Sequence, residues 1–216
     1  MIFADRTTAG RQLGQRLVPL GLAMPLVLAL PRGGVPVAFE VALALGASLG
    51  VQLVRKLGSP HNRELAMGAL AVRGGREAVM ETGVARHLGL GPDAMARALQ
   101  RERDEITRRE AIYGAFCADD VRARTVILVD DGIATGATIV AALRVLRATG
   151  ARAMVVAVPV ASAESLDALA GEVERVVCLY RAEEMGGVGA FYRDFGEVSD
   201  GAALALLTDA RSQMAG

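Results

Sequence analysis

The chain has 216 residues, is 52% hydrophobic and is formally neutral, with 24 basic and 24 acidic residues. That length suits one domain with a sizeable core, and the balanced charge argues against a polyanionic partner such as nucleic acid. Cys117 and Cys178 are far apart and lack ligand spacing, so they read as thiols in a reducing cytoplasm, not as a disulfide framework or a metal site. No apolar run reaches the ~20 residues of a membrane helix, and the N-terminus shows no basic-then-apolar leader pattern, so a soluble cytoplasmic protein is expected.

In chain order, residues 5–18 place Ala9, Leu13 and Leu17 four apart behind Asp5, which predicts a capped amphipathic helix. Leu26–Leu30 reads as a first core strand. It runs into the turn Pro31-Arg32-Gly33-Gly34, and Val35–Leu45 continues as an apolar helix. Glycines let backbone amides approach an oxyanion, and Arg32 offers a planar, bidentate partner. Val51–Val54 reads as the next strand and delivers Arg55 and Lys56 at its end. Of the 24 basic residues 23 are arginine, so Lys56 is the only lysine, a compact ammonium in a chain that otherwise uses planar guanidinium groups.

Residues 57–67 mix glycine, proline, asparagine and charge, which predicts a flexible loop carrying His61 and Glu64. Gly68–Val72 and Glu77–Met80 flank the turn Arg73–Arg76 and read as a hairpin. Asp93–Tyr113 reads as a long helix with the apolar stripe Met95, Leu99, Ile106 and Tyr113, and with ion pairs Asp104–Arg108 and Glu105–Arg109 at i,i+4. After residue 138 come a helix, a strand at Ala153–Val158, a helix at Ser162–Ala170, a strand at Val173–Tyr180 and a last helix at Ser199–Leu207. This alternation predicts an α/β fold with a doubly wound, mostly parallel sheet.

The stretch Thr125–Thr138, TVILVDDGIATGAT, is the most informative. An unbroken β-branched run suits a strand buried on both faces. It ends in Asp130 and Asp131, followed by the small-residue turn Gly132–Gly136 and a helical pattern from Ala137. Backbone amides of Thr135, Gly136, Ala137 and Thr138 at a helix start form a cradle for phosphate. Two carboxylates beside it can accept hydrogen bonds from the vicinal hydroxyls of a ribose. No lysine follows Gly136 as a triphosphate-binding loop would require, and no GxGxxG follows the first strand, which counts against a nicotinamide dehydrogenase.

VILVDDGIATGAT resembles the phosphoribosyl pyrophosphate (PRPP) motif of the type I phosphoribosyltransferases, nearest to the bacterial purine-type enzymes. ALPRGGVPVA resembles that family's pyrophosphate loop, and Phe191-Tyr192-Arg193-Asp194-Phe195 resembles the YFRDL segment of hypoxanthine-guanine phosphoribosyltransferases. The resemblance implies one domain over 1–216, with a core at about 20–180, a flap at about 57–67 closing over the reaction centre and a small C-terminal hood at about 183–216. It implies transfer of ribose 5-phosphate from PRPP to a nitrogenous base with release of diphosphate. Asp130 and Asp131 would hold the ribose. Gly132, Ala134, Thr135, Gly136, Ala137 and Thr138 would take the 5-phosphate, and Arg32, Gly33, Gly34, Arg55, Lys56 and Arg193 the diphosphate. Mg²⁺ is implied as cofactor, held mainly by PRPP with Asp130 or Asp131 within reach, and a homodimer is implied as the assembly. Where several relatives carry an acid that removes the acceptor's proton, this chain has Ala134. The lysine that reads a purine oxygen is also missing, so the acceptor stays open. A non-catalytic PRPP-binding module is the alternative reading.

Overall fold

Short, unbroken apolar runs form the centre of the computed structural model, which describes residues 2–60, 62, 65–117 and 120–214. The elements in chain order are α1 (Arg6–Leu17), β1 (Pro25–Ala29), α2 (Gly34–Leu45), β2 (Ser48–Val51), β3 (Leu53–Gly58), β4 (Ala66–Arg73), β5 (Arg76–Glu81), α3 (Val84–His87), α4 (Pro92–Cys117), β6 (Thr125–Val129), α5 (Ala137–Ala148), β7 (Ala153–Ser162), α6 (Ala163–Leu169), β8 (Arg175–Ala182) and α7 (Asp200–Met214). Five strands make an all-parallel sheet in the order β2-β1-β6-β7-β8, and the other three make an antiparallel sheet, β3-β4-β5. The expected doubly wound α/β fold is present.

Every residue of β6 and four of five in β1 are buried, as strands covered on both faces require. Alternate residues supply two cores. Val27, Ala29, Ile127 and Val129 face the side of α2 and α7. Leu26, Leu28, Val126 and Leu128 face the side of α5 and the antiparallel sheet. The chain therefore leaves β1 through α2 toward one edge of the sheet and leaves β6 through α5 toward the other. Between β1 and β6 the winding direction reverses, and the carboxyl ends of these two strands open a crevice where such sheets bind ligands. Register aligns Ala29 with Val129, which sets the Pro31–Gly34 turn beside Asp130 and Asp131.

The expected strand Val51–Val54 is instead two strands of different sheets. Gln52 breaks the run: its backbone amide donates to Ala29 O at 3.0 Å, ending β2, while its buried side chain donates to Leu53 O and Val72 O at 2.9 and 3.0 Å. Arg55 and Lys56 consequently lie inside β3 and not at a strand end. The segment expected as a loop is shorter than 57–67, with Leu57, Gly58, Ala66 and Met67 in the hairpin strands. His61 and Glu64 lie outside the described residues. In α4 the Glu105–Arg109 pair forms at 2.9 Å, but Arg108 also turns to Glu105, at 2.8 Å, and Asp104 accepts from Gln100. The last helix runs to Met214 and packs Ala203, Leu207 and Ala210 into the core under α2. Among the described residues no helix is long and apolar enough to cross a membrane.

Helix α1 is capped by Asp5, whose carboxylate accepts from Thr8 N at 2.6 Å. It lies so close on α2 that a Cβ at Gly10 would stand 2.7 Å from Val37 O, and one at Gly14 2.7 Å from the Ala44 methyl. Gly10→Ala should push the two helices apart at a cost of about 1–3 kcal/mol. That lowers Tm by about 2–4 °C for each kcal/mol in a domain of this size, and a thermal melt followed by circular dichroism will read it.

Candidate active site

Strand β6 ends at Val129 and hands the chain to Asp130 and Asp131 at the mouth of the crevice. Asp130 Oδ1 accepts the Asp131 backbone N–H at 2.9 Å. Asp131 Oδ2 accepts Arg6 Nε at 2.8 Å, and the Tyr192 hydroxyl donates to the Asp131 carbonyl at 2.6 Å. The turn after β1 presses on both acids. A Cβ at Gly33 would stand 2.2 Å from Asp131 Oδ2, and one at Gly34 would stand 2.8 Å from Val129 O and 3.1 Å from Asp130 Oδ1. Both glycines are thus demanded by close approach. One oxygen of each acid, Asp130 Oδ2 and Asp131 Oδ1, receives no hydrogen bond from the described residues. The pair therefore offers one acceptor to each hydroxyl of a cis-diol.

Burial, and then the charge of Asp131 next door, push the Asp130 carboxyl well above the usual carboxylate range. Burial also raises Asp131, against the pull of Arg6. Each carboxylate thus disfavours ionisation of the other, and Arg6 offsets part of that repulsion at Asp131.

A cavity of about 550 Å³ opens in front of the acids, walled by the Pro31–Gly33 turn, by Val54–Lys56 of β3, by Arg109 of α4 and by residues 195–198. Arg6, Arg32, Arg55, Lys56 and Arg109 line it. Each arginine already holds a carboxylate: Arg6 with Asp131 at 2.8 Å, Arg32 with Glu197 at 2.6 Å, Arg55 with Glu102 at 2.9 Å, and Arg109 with Glu105 at 2.9 Å. Arg109 also donates to Pro31 O at 3.3 Å, which ties the glycine turn to α4.

A second cavity of about 500 Å³ adjoins the first across Lys56 and Thr138, which border both. Gly132–Gly136 forms its floor, with Thr82, Val84 and Val188 opposite. The turn is fixed from below. Ile133 exchanges backbone hydrogen bonds with Val160 and Ser162, and the hydroxyls of Ser162 and Ser165 both donate to Ala134 O at 2.9 Å. Gly136 has φ +73°, where side chains are strained. The amides of Thr135, Gly136, Ala137 and Thr138 meet no acceptor among the described residues, so the start of α5 presents four donors and the positive end of its dipole.

Of the residues singled out in the sequence, Arg32, Gly33, Arg55, Lys56, Asp130, Asp131 and Thr138 meet in the first cavity, and Gly132, Ala134, Thr135 and Gly136 in the second. Gly34 and Ala137 lie behind the lining, where they contribute backbone only. Arg193 is placed elsewhere. It is exposed and lines neither cavity, because the amides of Arg193 and Asp194 pair with Phe3 O and Ala4 O while Tyr192 takes the inward position. From that segment Phe195, Gly196, Glu197 and Val198 reach the site instead. Arg6 and Glu197 belong to no motif in the sequence, and Tyr192 lies within the 191–195 motif, which assigns it no role. Arg109 had a readable signal, since it continues the helical spacing of Ile106 and Tyr113 on the buried face of α4.

A family model described as uracil phosphoribosyltransferase matches residues 61–199. The chain belongs to that phosphoribosyltransferase family. A protein of Mycobacterium tuberculosis provisionally named a phosphoribosyl transferase is 43% identical over 215 residues, 99% of this chain and 48% of the relative. The chain thus spans about half the length of the curated relatives it matches across its whole extent. The uracil phosphoribosyltransferase of Corynebacterium diphtheriae is 35% identical over 83 residues, 38% of this chain and 39% of its own. A solved protein of Thermus thermophilus superposes with a TM-score of 0.80 at 44% identity, covering 97% of this chain and 99% of its own.

In this chain the raised carboxyl of Asp130 makes stability depend on pH. The folded state holds a proton that the unfolded chain releases at about pH 4, so stability is fullest below that pH and declines as pH rises through the folded value. Asp130→Asn removes the ionisable group. Its Tm minus that of the wild type should grow as pH rises above about 4 in ligand-free melts; a difference that does not change with pH contradicts the assignment.

Proposed function

We propose that the chain transfers ribose 5-phosphate from PRPP to a nitrogenous base and releases diphosphate. One observation carries this reading: the order of groups along the cleft. Four helix-start amides come first, then two unoccupied carboxylate oxygens, then the arginine-lined glycine turn. That sequence matches phosphate, diol and diphosphate along one PRPP molecule.

In the reaction the C1–O bond to diphosphate breaks, its electron pair leaves with the diphosphate oxygen, and the base nitrogen forms the new bond to C1 and releases its proton to water or to the departing diphosphate. Between the two events the sugar is oxocarbenium-like. Asp130 and Asp131 hold the hydroxyls and favour the positive charge on the ring, as paired acids do in glycoside chemistry. Lys56 stands where the two cavities meet, so its ammonium is within reach of the leaving oxygens. Arg32 takes a diphosphate oxygen in place of Glu197. Fixed donors aimed at developing charge are worth roughly 2.7–4 kcal/mol each.

Mg²⁺ fits the donor set as a passenger on the substrate. Among the described residues no cluster of three or more His, Cys, Asp or Glu could cage a metal, whereas Asp130 and Asp131 line the cavity and could complete the shell of an ion carried by diphosphate. When bound, the ion supplies charge neutralisation on the leaving group. Ala134 cannot take the acceptor's proton, and the second cavity has no carboxylate or imidazole among its described lining residues. The purine-like motifs and the uracil family model favour different acceptors, so the base is left to experiment. Homodimer assembly in the cytoplasm accompanies the reading.

The experiment is diphosphate release from PRPP and Mg²⁺ across a panel of purines and pyrimidines. Release with one of them is expected. PRPP binding without release for any base would make the chain a non-catalytic PRPP-binding module. Lys56→Ala should cut turnover at least tenfold, about 1.4 kcal/mol in barrier, with Tm within a few degrees of wild type. Undiminished PRPP turnover in that variant would remove Lys56 from the chemistry.

A further inference from the structure

Helix α1 contains none of the motifs, yet its first residue makes the deepest side-chain contact with the acid pair. The Arg6 guanidinium is held at three points. Nε donates to Asp131 Oδ2 at 2.8 Å, Nη1 donates to Gly196 O at 2.8 Å, and the flat face lies over Phe195 with 3.8 Å from Cζ to the ring centroid. Only 12% of the side chain is exposed. A lysine could supply the charge here but neither the fork nor the stacked face.

The helix is anchored at its start so that Arg6 cannot wander. Asp5 caps it, and the preceding residues form a strap on the C-terminal segment. Ile2 N and Phe3 N both approach Phe191 O, at 2.9 and 3.0 Å, while Arg193 N and Asp194 N return bonds to Phe3 O and Ala4 O at 2.9 Å. The Phe3 and Tyr192 rings pack with centroids 5.4 Å apart. Tyr192 in turn donates to the backbone carbonyl of Asp131. Asp131 is therefore gripped at its main chain by Tyr192 and at Oδ2 by Arg6, with Gly33 closed against the same oxygen. Oδ2 is thereby engaged, and Oδ1, which accepts no hydrogen bond from the described residues, is the oxygen left for a ligand.

We propose that Arg6 is a positioning residue for the sugar: by occupying Asp131 Oδ2 it fixes Oδ1 as the acceptor for one ribose hydroxyl. This rests on the reading of the cleft as a PRPP site. The diphosphate end of the substrate meets other groups, the glycine turn, Arg32 and Lys56, so loss of Arg6 divides the ligand's two halves. A residue that merely held α1 in place would, when removed, weaken both halves together.

The test is calorimetric titration of the full chain as wild type, Arg6→Gln and Arg6→Lys, with ribose 5-phosphate, PRPP with Mg²⁺, and inorganic diphosphate with Mg²⁺ as probes. In Arg6→Gln, affinity for ribose 5-phosphate and PRPP should fall tenfold or more, with diphosphate affinity unchanged within twofold. Arg6→Lys should fall between, with the same split, and it decides the matter if Arg6→Gln does not fold. Equal weakening of all three probes would reduce Arg6 to a structural support, and undiminished ribose 5-phosphate binding in Arg6→Gln would overturn the proposal outright. If the wild type binds neither sugar phosphate, the PRPP reading falls and this inference with it. Wild-type binding with no split in the variants overturns the inference alone.

Discussion

Two adjacent carboxylates half out of water, at the one place where the sheet reverses its winding, are the constraint around which this molecule is built. Their burial is unfavourable, and the chain offsets it with contacts drawn from every part of the sequence. A backbone amide serves Asp130, an arginine from the first helix serves Asp131, and a tyrosine from the C-terminal segment holds the backbone carbonyl of Asp131. Stability alone would favour an apolar pair at such a site. The neighbouring positions feel the crowding: Gly33 has no room for a side chain against Asp131, and Gly34 has none against the Val129 carbonyl and Asp130.

The site has a clear division of labour. In the proposed reading rigid backbone supplies the phosphate end, where serine hydroxyls from the β7–α6 junction fix the turn from beneath and leave its amides open. Side chains supply the other end, where β3 and α4 lean arginines over the cavity from a separate antiparallel sheet and a long helix. The centre, where the sugar would lie, is served by both. Such a layout suits a reaction whose transition state develops charge at the middle and at one end of the substrate.

Much of this was legible in the sequence because it is local. The strand, the acid pair, the glycine turn and the helix start lie within 14 consecutive residues, and each has a physical reason to follow the last. Contacts made across the fold were not legible. Arg6 and Asp131 are 125 positions apart, and Tyr192 and Asp131 are 61 apart, so no window of sequence contains either pair. Two misplacements had readable causes. Gln52 is a polar break in an apolar run, and a buried glutamine there marks the passage from one sheet to the other. Arg193 follows a buried tyrosine in an extended segment, and alternation turns it outward.

The carboxylates already seated on the four cleft arginines have a consequence for which anions can settle there. A monovalent visitor would have to evict a tethered acid of equal charge and would gain almost nothing by the exchange. A polyvalent ligand can dislodge the exposed Glu197 from Arg32 and recruit several cations at once, so the swap becomes favourable only above a threshold of charge.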